Sequence, residues 1–241
     1  MMEMLNIKEN YNFLVCGDSI SKGVVLDKIR NKYVVLKDSY ANLLNGCLKG
    51  TVENISKFGS TILRGKDRLK KELDKVSPDI VLLEFGGNDC DFNWDEVAKD
   101  PYKEHLPNTD FNVFKETLRE LIDSLKNANI APVLLTLPPL DADRYFSWIS
   151  KGNKEMAKNI LTWLGSVTKI YWWQERYNSA ILSIASSTDT KIIDVRSAFL
   201  DRPDYRKLLC EDGIHPNEDG HKAIADRIKD YVMTYYGFLL K

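Results

Sequence analysis

Five short apolar runs, separated by longer stretches of helical period, constrain this chain more than any other feature. The runs are Phe13 to Cys16, Val52 to Ile55, Ile80 to Phe85, Pro132 to Leu137 and Ile192 to Val195. Between them the spacing predicts helices near Tyr40 to Leu48, Ile62 to Val76 and Phe111 to Asn127, and a long aromatic region from Arg144 to Ser187 has room for two more. Strands alternating with helices are the pattern of βαβ units and a parallel sheet. A last helix follows His215, where Ile224, Ile228, Tyr231 and Tyr235 form one stripe and Lys222, Asp226 and Lys229 face the other way. Right-handed crossovers then force an open sheet with helices on both faces, and sites in such sheets lie at the carboxyl ends of the strands. A chain of 241 residues can bury one large core, so one domain over 1–241 is expected.

Charge narrows the possible partners. Lys and Arg number 34 against 35 Asp and Glu, a net charge of -1, and the two signs are interleaved. No basic stripe suited to a phosphate backbone emerges, so nucleic acid is not expected as a partner. Cys16, Cys47, Cys90 and Cys210 show no C-x-x-C spacing, and Cys16 sits inside an apolar strand where a small hydrophobe would serve. Reduced thiols in a cytoplasmic protein account for them. The stretch Met1 to Asn10 has no basic region followed by a long apolar one, and no window approaches a membrane span. Neither export nor a membrane span is expected.

Polar clusters follow the strand exits. Ser19 comes after the first strand, Gly59 after the second, Gly86-Gly87-Asn88-Asp89 after the third, and Asp212 with His215 after the fifth. Taken singly, each has a plain structural role: Asp18 or Ser19 caps a helix, Gly59 makes a turn, Asn88 makes an Asx-turn, and Asn217 caps the last helix after Pro216. A shared sheet edge favours chemistry instead. Ser19 falls near a helix N-terminus, where backbone N–H groups point outward and negative charge is favoured. A serine nucleophile needs a base, and a neutral imidazole needs a partner that fixes its tautomer. Asp212, three residues before His215, is placed to orient that ring toward Ser19. An oxyanion needs preorganised donors, which the Ser19 and Gly59 N–H groups and the Asn88 amide can supply. Asp89 is read as orienting its loop. His105, in a polar insertion, and His221, a surface or packing residue of the last helix, have no comparable neighbours.

With those residues in view, the chain resembles the SGNH hydrolases, also called the GDSL family of esterases and lipases. Cys16-Gly17-Asp18-Ser19-Ile20-Ser21-Lys22-Gly23 is similar to the first block, whose serine is the nucleophile. Asn54 to Thr61 resembles the second, with Gly59 as backbone donor, although Ser56 stands where family members often carry an extra glycine. Gly86-Gly87-Asn88-Asp89 resembles the third, with Asn88 as side-chain donor, and Asp212-Gly213-Ile214-His215-Pro216 the last, with Asp212 and His215 completing the triad. The resemblance implies a three-layer flavodoxin-like α/β/α sandwich of sheet order 2-1-3-4-5, and no metal or organic cofactor. The residues agree: no cluster has metal spacing, no G-x-S-x-G elbow occurs, and Gly17 and Gly23 do not form G-x-G-x-x-G.

Substrate choice belongs to two insertions, near 90–110 and 140–174. The first carries Phe92, Trp94 and Tyr102; the second carries Tyr145, Phe146, Trp148, Trp163, Tyr171, Trp172 and Trp173. Most of these aromatics are expected to pack an extra helix pair onto the sheet, because large aromatics are mostly buried. Stacking on sugar rings, lining an acyl channel and a homodimer contact are the other readings. The expected function is a serine hydrolase that deacylates a carbohydrate or small acyl ester through an acyl-enzyme. A lipid-directed esterase, lysophospholipase or thioesterase is the alternative, and a noncatalytic flavodoxin-like binding module is the reading from a different class.

Overall fold

All five apolar runs become strands of one parallel sheet. The computed structural model describes residues 8–241; residues 1–7, part of the stretch read above for a leader, lie outside the described residues. In chain order the elements are β1 (Tyr11–Gly17), α1 (Ser19–Lys22), β2 (Val24–Asp27), β3 (Lys32–Val35), α2 (Tyr40–Cys47), β4 (Gly50–Asn54), α3 (Ile62–Leu73), β5 (Ile80–Glu84), α4 (Trp94–Lys99), α5 (Phe111–Asn127), β6 (Ala131–Leu135), α6 (Ala142–Ile149), α7 (Lys154–Leu164), α8 (Thr168–Ser187), β7 (Lys191–Ile193), α9 (Ser197–Leu200) and α10 (Glu218–Tyr236). The sheet runs β4-β1-β5-β6-β7, which in chain order of its own strands is the expected 2-1-3-4-5. Every pairing in it is parallel.

Strand β1 shows why such a sheet needs helices on both sides. Phe13 and Val15 point into one core with Tyr40 and Leu44 of α2 and Ile224 and Ile228 of α10. Leu14 and Cys16 point into another with Ile62 and Leu69 of α3, Leu118 and Ile122 of α5, and Ile181 of α8. Alternate residues thus serve opposite cores, and a strand buried on both faces reads as an unbroken apolar run. The α10 stripe is buried at Ile224 and Ile228 but fades to an exposed Tyr235.

Three features differ from the sequence reading. Strands β2 and β3 pair as an antiparallel hairpin directly after α1, where no strand was expected. The Arg144 to Ser187 region holds three helices rather than two, beginning at Ala142. The chain breaks where Lys151 and Gly152 take φ of 53° and 68° and again at Gly165, φ 73°. Asn153 then caps α7 by accepting from the N–H groups of Glu155 and Met156. Most of the insertion aromatics, finally, do not pack onto the sheet. Phe92, Trp94, Val97, Tyr145, Ile149, Ile160 and Leu164 form a third core of their own, a cap built from α4, α6, α7 and the start of α8.

A close approach fixes α3 beside the strand that leads to the Gly86 cluster. At Gly65 a Cβ would stand 2.1 Å from Cζ of Phe85. Alanine there gains about 1 kcal/mol of helix propensity, but overpacking of this kind costs about 1–3 kcal/mol. Gly65→Ala is therefore expected to lower the urea midpoint of unfolding at unchanged slope.

Candidate active site

At the end of β1 the chain turns sharply, and Asp18 caps α1 by accepting from the Ile20 N–H at 2.8 Å. The capping role and a place in the site coexist. Ser19, at the first position of α1, is buried, and its Oγ lies 2.9 Å from Nε2 of His215. The other ring nitrogen, Nδ1, is 2.7 Å from Oδ2 of Asp212. Residues 196 positions apart in the chain are thus in hydrogen-bonding contact.

The loop that carries Asp212 and His215 is held from within. Asp212 Oδ1 accepts from the backbone N–H groups of Ile214 and His215, both at 3.1 Å, so the carboxylate is locked in an Asx-turn with its second oxygen left for the ring. Gly213 takes a φ of 78°, and a Cβ there would lie 2.6 Å from the carbonyl oxygen of Asp141. Only glycine lets the turn press against the start of α6, where Asp141 N–H donates to the Gly213 carbonyl at 2.8 Å. Burial pushes the Asp212 carboxyl up, but its hydrogen bond to His215, that ring's charge and the two backbone donors outweigh burial and hold it below the usual range. It is ionised at neutral pH.

The other expected residues fall around the same corner. Asn88 Nδ2 donates to Asp18 Oδ2 at 3.0 Å, which occupies one of its two N–H groups and leaves the second for a ligand. Gly59 takes the left-handed φ of 66° with open space where a Cβ would be. Its neighbour Phe58 lines the cleft beside Ser19, while Gly59 itself is not on the lining. Ser56, at the departure from the family block, is buried beneath the corner. Its N–H donates to Asn54 Oδ1, Asn54 Nδ2 donates to the Ser21 carbonyl at 2.7 Å, and Lys57 N–H reaches the Gly17 carbonyl, so the second loop is stitched to the first. Asp89 does orient its loop: it accepts from the N–H of Ile62 at 2.9 Å and from Oγ1 of Thr109 at 2.6 Å. Burial dominates there and pushes this carboxyl up to about 6 despite those donors.

The cleft over Ser19 has a volume of about 790 Å³. Its walls combine Trp94, Tyr145, Trp148 and Trp173 with Asp91, Asn93, Ser147, Lys151 and Gln174. Asp91 accepts from Tyr145 Oη at 2.7 Å and from Trp94 Nε1 at 2.8 Å, which sets two of the rings. The sequence reading missed Tyr33 on β3. Its ring centroid lies 5.0 Å from that of His215, while Phe58 stacks at 6.1 Å and 10°, so aromatics flank the imidazole. Tyr33 also meets Trp148 of the cap edge-on at 6.1 Å. The alternation of Val24, Leu26, Tyr33 and Val35 around the Lys28 to Asn31 turn was the available signal.

The model of the GDSL-like lipase/acylhydrolase family matches residues 15–223. The chain belongs to that family. It is a carboxylic-ester hydrolase of the GDSL type, as its relatives are. A GDSL esterase/lipase of Oryza sativa subsp. japonica is 24% identical over 196 residues, which cover 80% of this chain and 67% of that one. An Escherichia coli protein named as a thioesterase, protease and lysophospholipase is 25% identical over 217 residues, 88% of this chain and 79% of its own. Among solved structures, the lipase/acylhydrolase from Enterococcus faecalis superimposes with a TM-score of 0.67 at 20% identity, covering 95% and 96% of the two chains. This GDSL hydrolase has no helix among its described residues long and apolar enough to cross a membrane. Its four cysteines are free thiols.

The remaining histidines stand apart from Ser19. His105 packs edge-on against Trp163 in the cap at 5.6 Å. His221 is a packing residue, fully buried and stacked on Tyr40 at 6.1 Å. Burial, helped by repulsion from His215, pushes it down to about 4 from an ordinary 6.5. The unfolded chain therefore binds a proton below pH 6.5 that the folded one refuses until about 4. Stability from this ring is complete above 6.5 and is lost as pH falls toward 4, by about 3 kcal/mol. Replacing it with Gln should flatten that part of the stability-versus-pH curve in urea titrations between those limits.

Proposed function

We propose that Ser19 is the nucleophile, His215 the general base and Asp212 the triad acid of this hydrolase, with the N–H groups of Ser19 and Gly59 and the Asn88 amide as oxyanion donors. The observation that carries the proposal is the continuous run from Ser19 Oγ to Nε2 at 2.9 Å and from Nδ1 to Asp212 at 2.7 Å. His215 takes the serine proton as Oγ attacks the ester carbonyl, and the ionised Asp212 stabilises the imidazolium that forms. The tetrahedral oxyanion collapses, the alcohol leaves with the proton from His215, and a water activated by the same ring releases the acid and restores the serine. Three of these groups, Ser19, Asn88 and His215, border one cleft, and Gly59 adjoins the Phe58 wall.

For the substrate we propose an acylated carbohydrate or another small acyl ester. Indole and phenol rings with Asn93, Ser147 and Gln174 beside them offer both the apolar faces that stack on sugar rings and the donors that bind hydroxyls. A protein of the same fold bears the name acetyl-xylooligosaccharide esterase, so the scaffold accommodates that class. A lipid-directed esterase or thioesterase would favour long acyl chains. Rates on p-nitrophenyl acetate and acetylated sugars above those on long-chain esters support the first reading, and the reverse order supports the second.

Two substitutions test the mechanism on p-nitrophenyl acetate. Ser19→Ala should lower kcat by at least about 10³-fold, because nucleophile and base act as a unit. Asn88→Ala should lower kcat by about 10²-fold or more with little change in KM, as loss of an oxyanion donor does. Full activity in Ser19→Ala would overturn the assignment.

A further inference from the structure

Directly beneath the proposed oxyanion donors lies a pair of acids that the mechanism above does not use. Glu84, the last residue of β5, and Asp18 are each 1% exposed. Their carboxyls face each other within hydrogen-bonding reach, and no lysine or arginine is among the chief influences on either. The groups that face them are Ser21 on α1, Tyr40 on α2, Asp89 after β5 and, as a group that can carry positive charge, His215, while the Arg68 guanidinium of α3 reaches Cys16 on the neighbouring stretch of β1. Glu84 Oε2 accepts from Ser21 Oγ at 2.8 Å, and that hydroxyl also meets Tyr40 Oη at 2.6 Å. The backbone N–H groups of Ser21 and Asp18 also face the Glu84 carboxyl and weaken its hold on a proton, but Oε1, equally buried, has no donor at hydrogen-bond geometry. Asp18 accepts from Ile20 N–H with one oxygen and from Asn88 Nδ2 with the other.

Two adjacent buried carboxylates without a cation cannot both be ionised, because desolvation and mutual repulsion each favour a proton. Such a proton is also the donor that Glu84 Oε1 lacks. We propose that Glu84 is a positioning residue: its carboxyl and that of Asp18 hold one proton between them, and the pair fixes the Asn88 amide so that its free N–H faces the oxyanion. Burial is the chief force raising the affinity of both acids for that proton, and repulsion from Glu84 adds to it for Asp18. The shared proton does two things for the reaction. It halves the negative charge beneath a site where a second negative charge must develop, and it locks Asp18 in the orientation that grips Asn88. No bond is made or broken in this role, and the proton stays with the pair through turnover. The inference rests on the proposed oxyanion donors.

The test joins a spectroscopic readout to kinetics on the intact chain. At neutral pH the infrared spectrum should contain the carbonyl band of a protonated carboxyl that disappears in Glu84→Gln. In that variant the introduced side-chain amide can donate to Asp18 in place of the proton, so kcat on p-nitrophenyl acetate should stay within about three-fold of wild type. Glu84→Ala, which removes the partner, should lose about ten-fold or more in kcat with KM changed less than about two-fold, measured on protein shown to be folded by near-ultraviolet circular dichroism. A merely structural glutamate would lower the melting temperature and leave kcat alone. Absence of the band in wild type, wild-type kcat in Glu84→Ala, or a loss in Glu84→Gln as large as that of Asn88→Ala each overturns the proposal. If the alanine variant does not fold, the band and the Glu84→Gln variant decide without it. The infrared band reports the pair whether or not the enzyme turns over, so a failure of the triad, visible as activity in Ser19→Ala, is distinguishable from a failure here.

Discussion

A parallel strand covered on both faces has no place for polar side chains until it ends, and that constraint organises this protein. Strand β1 is buried from Phe13 to Cys16, with alternate residues committed to opposite cores. Its first opportunity for chemistry is the corner at Gly17, Asp18 and Ser19. The same holds for β5, which is buried from Val81 and stays so through Phe85 before releasing Gly86 to Asp89. Because β4, β1 and β5 are neighbours in register, their exits converge at one edge without any long-range instruction beyond strand order. The Asp212 and His215 loop then needs only to cross that edge before α10 begins. The bridge of Leu209 to Pro216 and the press of Gly213 against Asp141 hold it there.

The carboxyls around the corner divide by their company. Asp212 has an imidazole and two backbone donors, enough to keep it ionised against burial. Asp89 and Asp91 are satisfied by hydroxyl, indole and backbone donors, yet burial still draws both toward the protonated form. Asp18 and Glu84 have each other, which is why the structure makes sense with one proton between them. Identical functional groups within one small region thus differ in charge because desolvation competes with whatever donors each can reach. The chemistry proposed for the site depends on that sorting: a charged acid behind the imidazole, and as little charge as possible behind the oxyanion.

Specificity is built from a different layer. The third core joins α4 to α6, α7 and α8 through aromatic contacts such as Phe92 with Trp163 at 4.9 Å and with Trp173 at 5.1 Å. It gives the cleft a wall that can vary independently of the sheet, since its packing is mostly internal. The β2–β3 hairpin supplies the opposite side through Tyr33. Tyr33 touches His215, Phe58 and Trp148 alike, so the imidazole is screened from solvent by elements that lie on both sides of the sheet edge. The proposed substrate class is argued from these walls.

Sequence alone determined the layers and the neighbourhoods of Ser19, Asn88, Asp212 and His215, because hydrophobic period and strand exits are local properties written in consecutive residues, whereas the order of the sheet came from the family resemblance. Phe111–Asn127 was legible to the residue, since Asp110 caps it and Leu118, Leu121, Ile122 and Leu125 repeat with helical period. Tertiary structure decided what local pattern cannot express. The hairpin was hidden because the alternation of Val24, Leu26, Tyr33 and Val35 extends over only two four-residue strands, too short to stand out from a loop. The separate aromatic core was misread as sheet packing because burial of an aromatic does not say which neighbour buries it. Glu84 passes without notice inside the run Ile80 to Phe85; only the fold brings Asp18 against it and buries both acids. Desolvation depends on everything that surrounds a group, and no stretch of sequence contains that.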